Sequence, residues 1–221
     1  MIKNIMNEQI DKFVNLITNK IPLPQEYHNF ADKRIFLGIP NTMNVISNIA
    51  ILIPALYLLT FKKRTIKSNL LIIHLVLLAI ASSYYHINPS NQTLFWDILM
   101  IATTYIIVLI MFSNTKYGLL LYGYAILSIL YWKYSNDLRL YLIILIGVLL
   151  YLILKYYKNK NLRNYLYIIV IMNILFRYSE HNDHEIYEFT NYQISGHTLK
   201  HIIVGIGIFY VIQLLQKVNK I

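Results

Sequence analysis

Seven apolar stretches, over residues 43–61, 70–87, 94–112, 117–132, 138–156, 164–179 and 199–216, take up most of this 221-residue chain. Each reaches, or nearly reaches, the ~20 residues that a helix needs to cross a bilayer. In hydrocarbon every backbone N–H and C=O must find its partner inside the protein, which makes helices the natural form for stretches of this length. The breaks between them carry turn or charge signals: "KKRTIKSN", "NPSNQ", "SNTK", "KYSND", "KNKNLRN" and the acidic "SEHNDHEIYEFTN". Charged residues make up only 14% of the chain, against about a quarter in soluble domains. The expected fold is therefore all-α and integral to the membrane, a seven-transmembrane-helix bundle.

The bundle domain spans 43–216. Residues 1–42 form an N-terminal interfacial segment, and 217–221 a basic tail. No internal repeat or linker marks a second domain. The opening "MIKNIMNEQIDKFVNLITNK" lacks the continuous apolar core of a secretory signal. Its Ile5, Met6, Ile10, Phe13, Val14 and Ile17 recur at helical spacing, which predicts an amphipathic helix on the membrane surface.

Basic residues set the expected orientation. The first, third and fifth connections and the tail hold eleven Lys and Arg: Lys62, Lys63, Arg64, Lys67, Lys116, Lys155, Lys158, Lys160, Arg163, Lys217 and Lys220. The second and sixth connections hold none, and the fourth holds Lys133 and Arg139. The positive-inside rule then puts the C-terminus in the cytoplasm and the N-terminus outside or lumenal. A formal charge of +10 is accounted for by such loops and anionic headgroups, so no nucleic-acid partner is expected.

On that topology the ionisable residues converge. His86 ends the second stretch, Asp97 begins the third, and His197 and His201 begin the seventh, all at the non-cytoplasmic end. Ionisable groups in a membrane domain are costly, and they mark function. Residues four apart share a helical face, so His197 and His201 can direct both rings at one point. Cysteine is absent, so any metal must take nitrogen and oxygen ligands. Three imidazoles around zinc would leave a fourth position for water, the pattern of a catalytic site. Ser82, four residues before His86, could assist at an oxyanion, or merely bond back to its own helix. Asp97 could orient a histidine or act as base, or merely cap its helix. His74 reads as a hydrogen-bonded interior residue, His28 as surface, and the acidic segment around His181 and His184 as a solvated loop.

A Ser with a His four later, an Asp eleven after that His, and a terminal HxxxH across seven spans resemble the alkaline ceramidase family. That family belongs to a wider superfamily of seven-span metal-dependent hydrolases that includes the adiponectin receptors. Three stretches carry the resemblance, which is closest to the bacterial-type branch: "FADKRIFLGIPNTMNVISNIAILIPALYLL", "SSYYHINPSNQTLFWDILM" and "YSEHNDHEIYEFTNYQISGHTLKH". They cover the first, second, third and seventh spans, whereas the fourth to sixth match in hydrophobicity alone. The resemblance implies zinc on His86, His197 and His201, with Ser82 and Asp97 assisting hydrolysis of a lipid amide to a sphingoid base and a fatty acid. Asn44, Asn48, Tyr85 and Trp96, beside these motif positions, are the candidate substrate-binding residues, although small polar residues such as Asn41, Asn44, Ser47 and Asn48 can equally serve helix packing. Animal-type members resemble one another in an acidic N-terminal cluster that binds calcium. This chain offers only Asp32, Asn41 and Asn44 nearby, which puts calcium, and with it strict ceramide specificity, in doubt.

Rival readings are a receptor-like protein that binds lipid and metal with little turnover, a transporter, and a retinal-type photoreceptor. The nearly uncharged fourth and fifth stretches disfavour a polar transport path, and Lys200 stands too near the outer end for a buried Schiff base.

Overall fold

The computed structural model describes residues 19–218, so the predicted amphipathic helix within the first 18 residues lies outside the described part. Helices occupy all seven apolar stretches. Thr42–Ser47 (α1) and Ile49–Leu59 (α2) fill the first, followed by Ile66–Ile87 (α3), Asn91–Ser113 (α4), Gly118–Ser135 (α5), Arg139–Tyr156 (α6) and Lys160–His181 (α7). The short Asp183–Phe189 (α8) precedes the last long helix, Gly196–Lys217 (α9). Among the described residues, five helical segments are long and apolar enough to cross a membrane: Thr42–Leu59 (α1 and α2 together), Ile66–Ile87, Asn91–Ser113, Arg139–Tyr156 and Gly196–Lys217. The tyrosines of α5 and the charges of α7 (Lys160, Arg163, Arg177 and Glu180) dilute the other two.

Local sequence explains most of the boundaries. Thr65 with Ser68, and Ser90 with Thr93, form reciprocal caps that start α3 and α4. Ser195 caps α9 by accepting the N–H of Thr198. Asn114 and Asn136 end α4 and α5 in the left-handed conformation that Asn tolerates. The acidic segment expected as a solvated loop is helical instead. The helix α7 runs on through Glu180, and Asp183 and Glu185 sit in the first turn of α8, where negative charge favours a helix start.

The long helices close into a ring. The α3 helix packs against α2 and α4, α4 against α5 and α6, α6 on α7, and α7 along α9, which returns to α1 and α2. One apolar cluster lies between α2, α3, α6, α7 and α9, with Leu58, Leu75, Leu152, Leu166 and Leu214 among its members. A second, built on Tyr85, Leu94, Ile98, Ile129, Trp132 and Tyr141, lies under the N-terminal segment.

The first, third and fifth connections share one end: Lys67 Nζ donates to Asn114 Oδ1 (2.9 Å), and Lys155 Nζ to the Phe112 carbonyl (2.6 Å). At the opposite end a strap, residues 20–34, crosses the mouth of the ring and is tied to each of the other three connections. Ile21 donates its N–H to Asp137 (3.1 Å) and accepts from Leu138 N (2.8 Å). His28 bridges Tyr85 Oη and Asn91 Oδ1, both at 2.9 Å, and is part of this tie rather than the surface residue expected. Ala31 N donates to Asp183 (2.9 Å), and Arg34 to the Gln193 carbonyl (2.8 Å). The Arg139 guanidinium holds the Asp137 carboxyl well below the usual carboxylate range, so this anchor of the strap stays ionised.

Candidate metal centre

Beneath the strap, three imidazoles meet. His86 comes from the last turn of α3, and His197 and His201 from the first turns of α9. Their ring centroids lie 4.8 Å (His86–His197), 4.9 Å (His86–His201) and 5.1 Å (His197–His201) apart. One ligand nitrogen from each can be chosen so that all lie within 4.8 Å of one another, and all three residues are buried. His86 Nε2 and His201 Nε2 face each other at 3.2 Å. Two nitrogens bound tetrahedrally at ~2.05 Å from one zinc would stand about 3.3 Å apart, so the observed spacing fits. His197 Nε2 is buried with no hydrogen-bond partner. An unpaired buried polar atom is expensive, and a metal ligand is one way such an atom is satisfied. The triad can hold a metal ion.

Surrounding residues fix the rings. Ser47 Oγ lies 2.7 Å from His201 Nδ1 and donates its own proton to the Asn44 carbonyl (3.0 Å). That assignment makes Nδ1 the N–H donor and leaves the Nε2 lone pair pointing at the centre, as orienting partners of metal-bound imidazoles do. Ser47→Ala is expected to weaken metal affinity about tenfold or more, read by competition with a chelator of known affinity, while leaving the helix intact. His197 is placed through its backbone: its N–H donates to Asp183 Oδ1 at 2.6 Å. Gly196 makes that approach possible, because a Cβ there would run into the Ser179 carbonyl oxygen and the Asp183 Cα. Phe30, on the strap, lays its ring edge-on against His86 (4.8 Å) and His197 (4.7 Å) and shields them from the mouth.

Asp97 enters from the second turn of α4, farther inside its helix than expected, because α4 starts at Asn91. It is buried with Oδ1 unpartnered, and the Ser82 hydroxyl lies against its carboxyl. Of the candidate substrate-binding residues, Asn44 accepts hydrogen bonds from Thr198 (2.8 Å) and Ser195 (3.4 Å), joining α1 to the start of α9, and leaves Nδ2 unpaired. Asn48 bonds back to the Asn44 carbonyl (3.0 Å), and its Oδ1 is unpaired. Tyr85 is buried and bonded to His28, whereas Trp96 is 52% exposed on the outside of α4. In the positions considered for calcium, the Asp32 carboxylate is paired with Arg34 (2.5 Å) and Asn41 donates to the His86 carbonyl (2.8 Å). His74 bonds Tyr122 and the Leu70 carbonyl, both at 2.9 Å, in the helix interior.

Sequence reasoning missed Phe30, Asp183 and the orienting role of Ser47. Ser47 stands in a visibly polar run, "NTMNVISN", but neither Phe30 nor Asp183 has a spacing that marks it. Comparison with family models, curated proteins and solved structures finds no match.

Proposed function

We propose that this chain is a zinc-dependent intramembrane hydrolase of seven spans, resembling the alkaline ceramidases, that cleaves the amide bond of a ceramide-like lipid to a sphingoid base and a fatty acid. The observation that carries this reading is the buried triad, with one ligand nitrogen lacking any other partner. In this reading α5 and α7 span the membrane with the other five, packed in the ring. The end bearing the strap faces the outside or the lumen, because the basic connections gather at the other.

His86, His197 and His201 would hold the metal. A bound zinc would supply Lewis acidity and hydroxide at neutral pH. Asp97, through its unpartnered Oδ1, takes a proton from water and returns it to the leaving nitrogen. The Ser82 hydroxyl donates a hydrogen bond to the oxygen that gains charge. Phe30 and the strap keep bulk water off the rings, which strengthens every electrostatic contact inside. The ring encloses a largely apolar cavity of about 410 Å³ between α3, α4, α6, α7 and α9, within the ~300–1,000 Å³ range of ligand sites and shaped by side chains suited to lipid chains.

The purified, zinc-loaded protein is expected to release fatty acid and amine from long-chain N-acyl amino alcohols. Chelation should abolish release, and zinc should restore it. Absence of turnover on any long-chain amide by the zinc-loaded protein would remove the hydrolase reading. A strap tied at each crossing and a phenylalanine over the rings favour a second reading, a lipid-binding, receptor-like protein with slow exchange. Lipid retained through purification without turnover would support it.

A further inference from the structure

The triad is buried, with Phe30 laid over two of its rings, so an ion from solvent needs a way in. Two cavities lie against the strap. The larger is apolar along most of its wall, and no histidine of the triad lines it. Glu180, which lines both cavities, is held by Lys200 (2.7 Å) and Arg177 (3.9 Å), so the larger offers a divalent ion no free carboxylate. Moving an ion through such a space is costly. The smaller cavity, about 260 Å³ and roomy enough for several waters, has a different wall. His197 lines it, and so do Glu26, His181, Asp183 and His184, with neither Lys nor Arg. Glu26, His181 and His184 are exposed, whereas Asp183 and His197 are buried, so the cavity runs from solvent to the triad. Acidic walls are common on proteins. This one ends on a ring whose buried Nε2 has no partner.

We propose that the smaller cavity is the loading port of the metal centre, through which a divalent cation passes from Glu26 and His181 to His197. This rests on the triad holding a metal, as in the proposed function, and is independent of turnover. Asp183 and His184 are fixed in the wall. Asp183 accepts the N–H of Ala31 (2.9 Å) and of His197 (2.6 Å), and His184 Nε2 lies 3.0 Å from the Asn29 carbonyl. Glu26 and His181, at the solvent end, are the groups that an arriving ion meets first. A carboxylate and an imidazole are ordinary zinc ligands, and two of them hold an ion weakly enough to release it inward to three. Negative charge at a narrow mouth also concentrates cations and raises their rate of entry, most at low ionic strength. Lys33 bonds Asn29 Oδ1 (2.7 Å) without lining the cavity, so it does not close the path. The strap can therefore stay tied while the centre fills.

The test follows uptake of zinc chloride by the metal-free, full-length protein in detergent at low ionic strength, in competition with a fluorescent chelator. Glu26→Gln is expected to slow uptake about threefold, and Glu26→Gln combined with His181→Gln about tenfold. Both residues are exposed, so the fold should hold. Equilibrium affinity should be unchanged, release slowing with uptake, because neither residue belongs to the triad. Glu188→Gln, the same charge change on α8 away from the cavity, should leave uptake as in wild type. His28→Ala cuts a tie of the strap and should also leave uptake unchanged. Uptake unaffected at Glu26 and His181, equal slowing by Glu188→Gln, or faster uptake once the strap is cut would each overturn the port and leave the metal centre standing. A loss of affinity without slower uptake would overturn it too. Wild type that takes up no zinc would remove the centre and the port together. The expected rates without turnover on any amide would keep both and remove the hydrolase.

Discussion

Alanine at His197 is expected to lower lipid-amide turnover by about a thousandfold or more, with the bundle still folded. The side chain contributes a buried Nε2 that has no other partner, so its loss breaks no hydrogen bond of the fold. On the proposed reading, what it removes is one of the three residues that would hold the metal, and with it the Lewis acidity that the metal would supply. The backbone tie to Asp183 survives, because it uses the N–H of residue 197 rather than its ring. Thermal unfolding in detergent should fall only by what the lost ring packing costs, with the protein still folded, while turnover collapses. A matched change at His74 should invert the pattern. That imidazole holds Tyr122 and the Leu70 carbonyl far down α3, and its removal should cost about 1–3 kcal/mol of stability with turnover largely kept. Turnover that survives at His197→Ala would mean that the triad is not the reacting centre.

A large effect on the fold is expected from Gly205→Ala. Pro54 has no N–H to give to the carbonyl of Ala50, one turn earlier in α2. Gly205 of α9 packs onto that carbonyl, and a Cβ there would run into the Ala50 oxygen and lie 2.8 Å from its carbon. The obstacle is backbone, so no rotamer change relieves it and the two helices must separate. Overpacking of this kind costs about 1–3 kcal/mol, which for a chain of this size lowers the unfolding midpoint by roughly 2–12 °C. Because α9 carries two of the histidines and packs on α1, which carries Ser47, metal affinity should fall as well. Gly207→Ala is the control. Its Cβ would meet only the Met172 side chain, at an ordinary 3.4 Å, so the midpoint should hold or rise. Equal losses at both glycines would count against the close backbone approach at Gly205 as the cause.

These cases show which features the sequence makes legible. Apolar length placed all seven helical stretches to within a few residues, because a helix in an apolar environment needs little beyond length and hydrophobicity to declare itself. Legible too was the meeting of His86 with His197 and His201, since helices that alternate in direction bring the end of the second stretch and the start of the seventh to one level. The break between α1 and α2 at Asn48 was not, because the apolar stretch runs through it without a turn signal that marks it. Nor was the strap. Its path depends on side-chain ties to Asp137, Asn91 and Asp183, each distant in sequence, and no periodicity records a loop that crosses others. Phe30 and Asp183 belong to that hidden part. The first reads as one more apolar residue, the second as one more charge in an acidic segment, until the strap brings both to His197.

Metal content per chain, measured on detergent-purified wild type beside His86→Ala and His201→Ala, tests the central claim most directly. The two residues sit on helices far apart in the sequence, and their nitrogens face each other at 3.2 Å. One zinc per chain in wild type, lost in both variants, is the result expected of a single centre shared by α3 and α9. Wild type without metal, or either variant retaining a full complement, would contradict it.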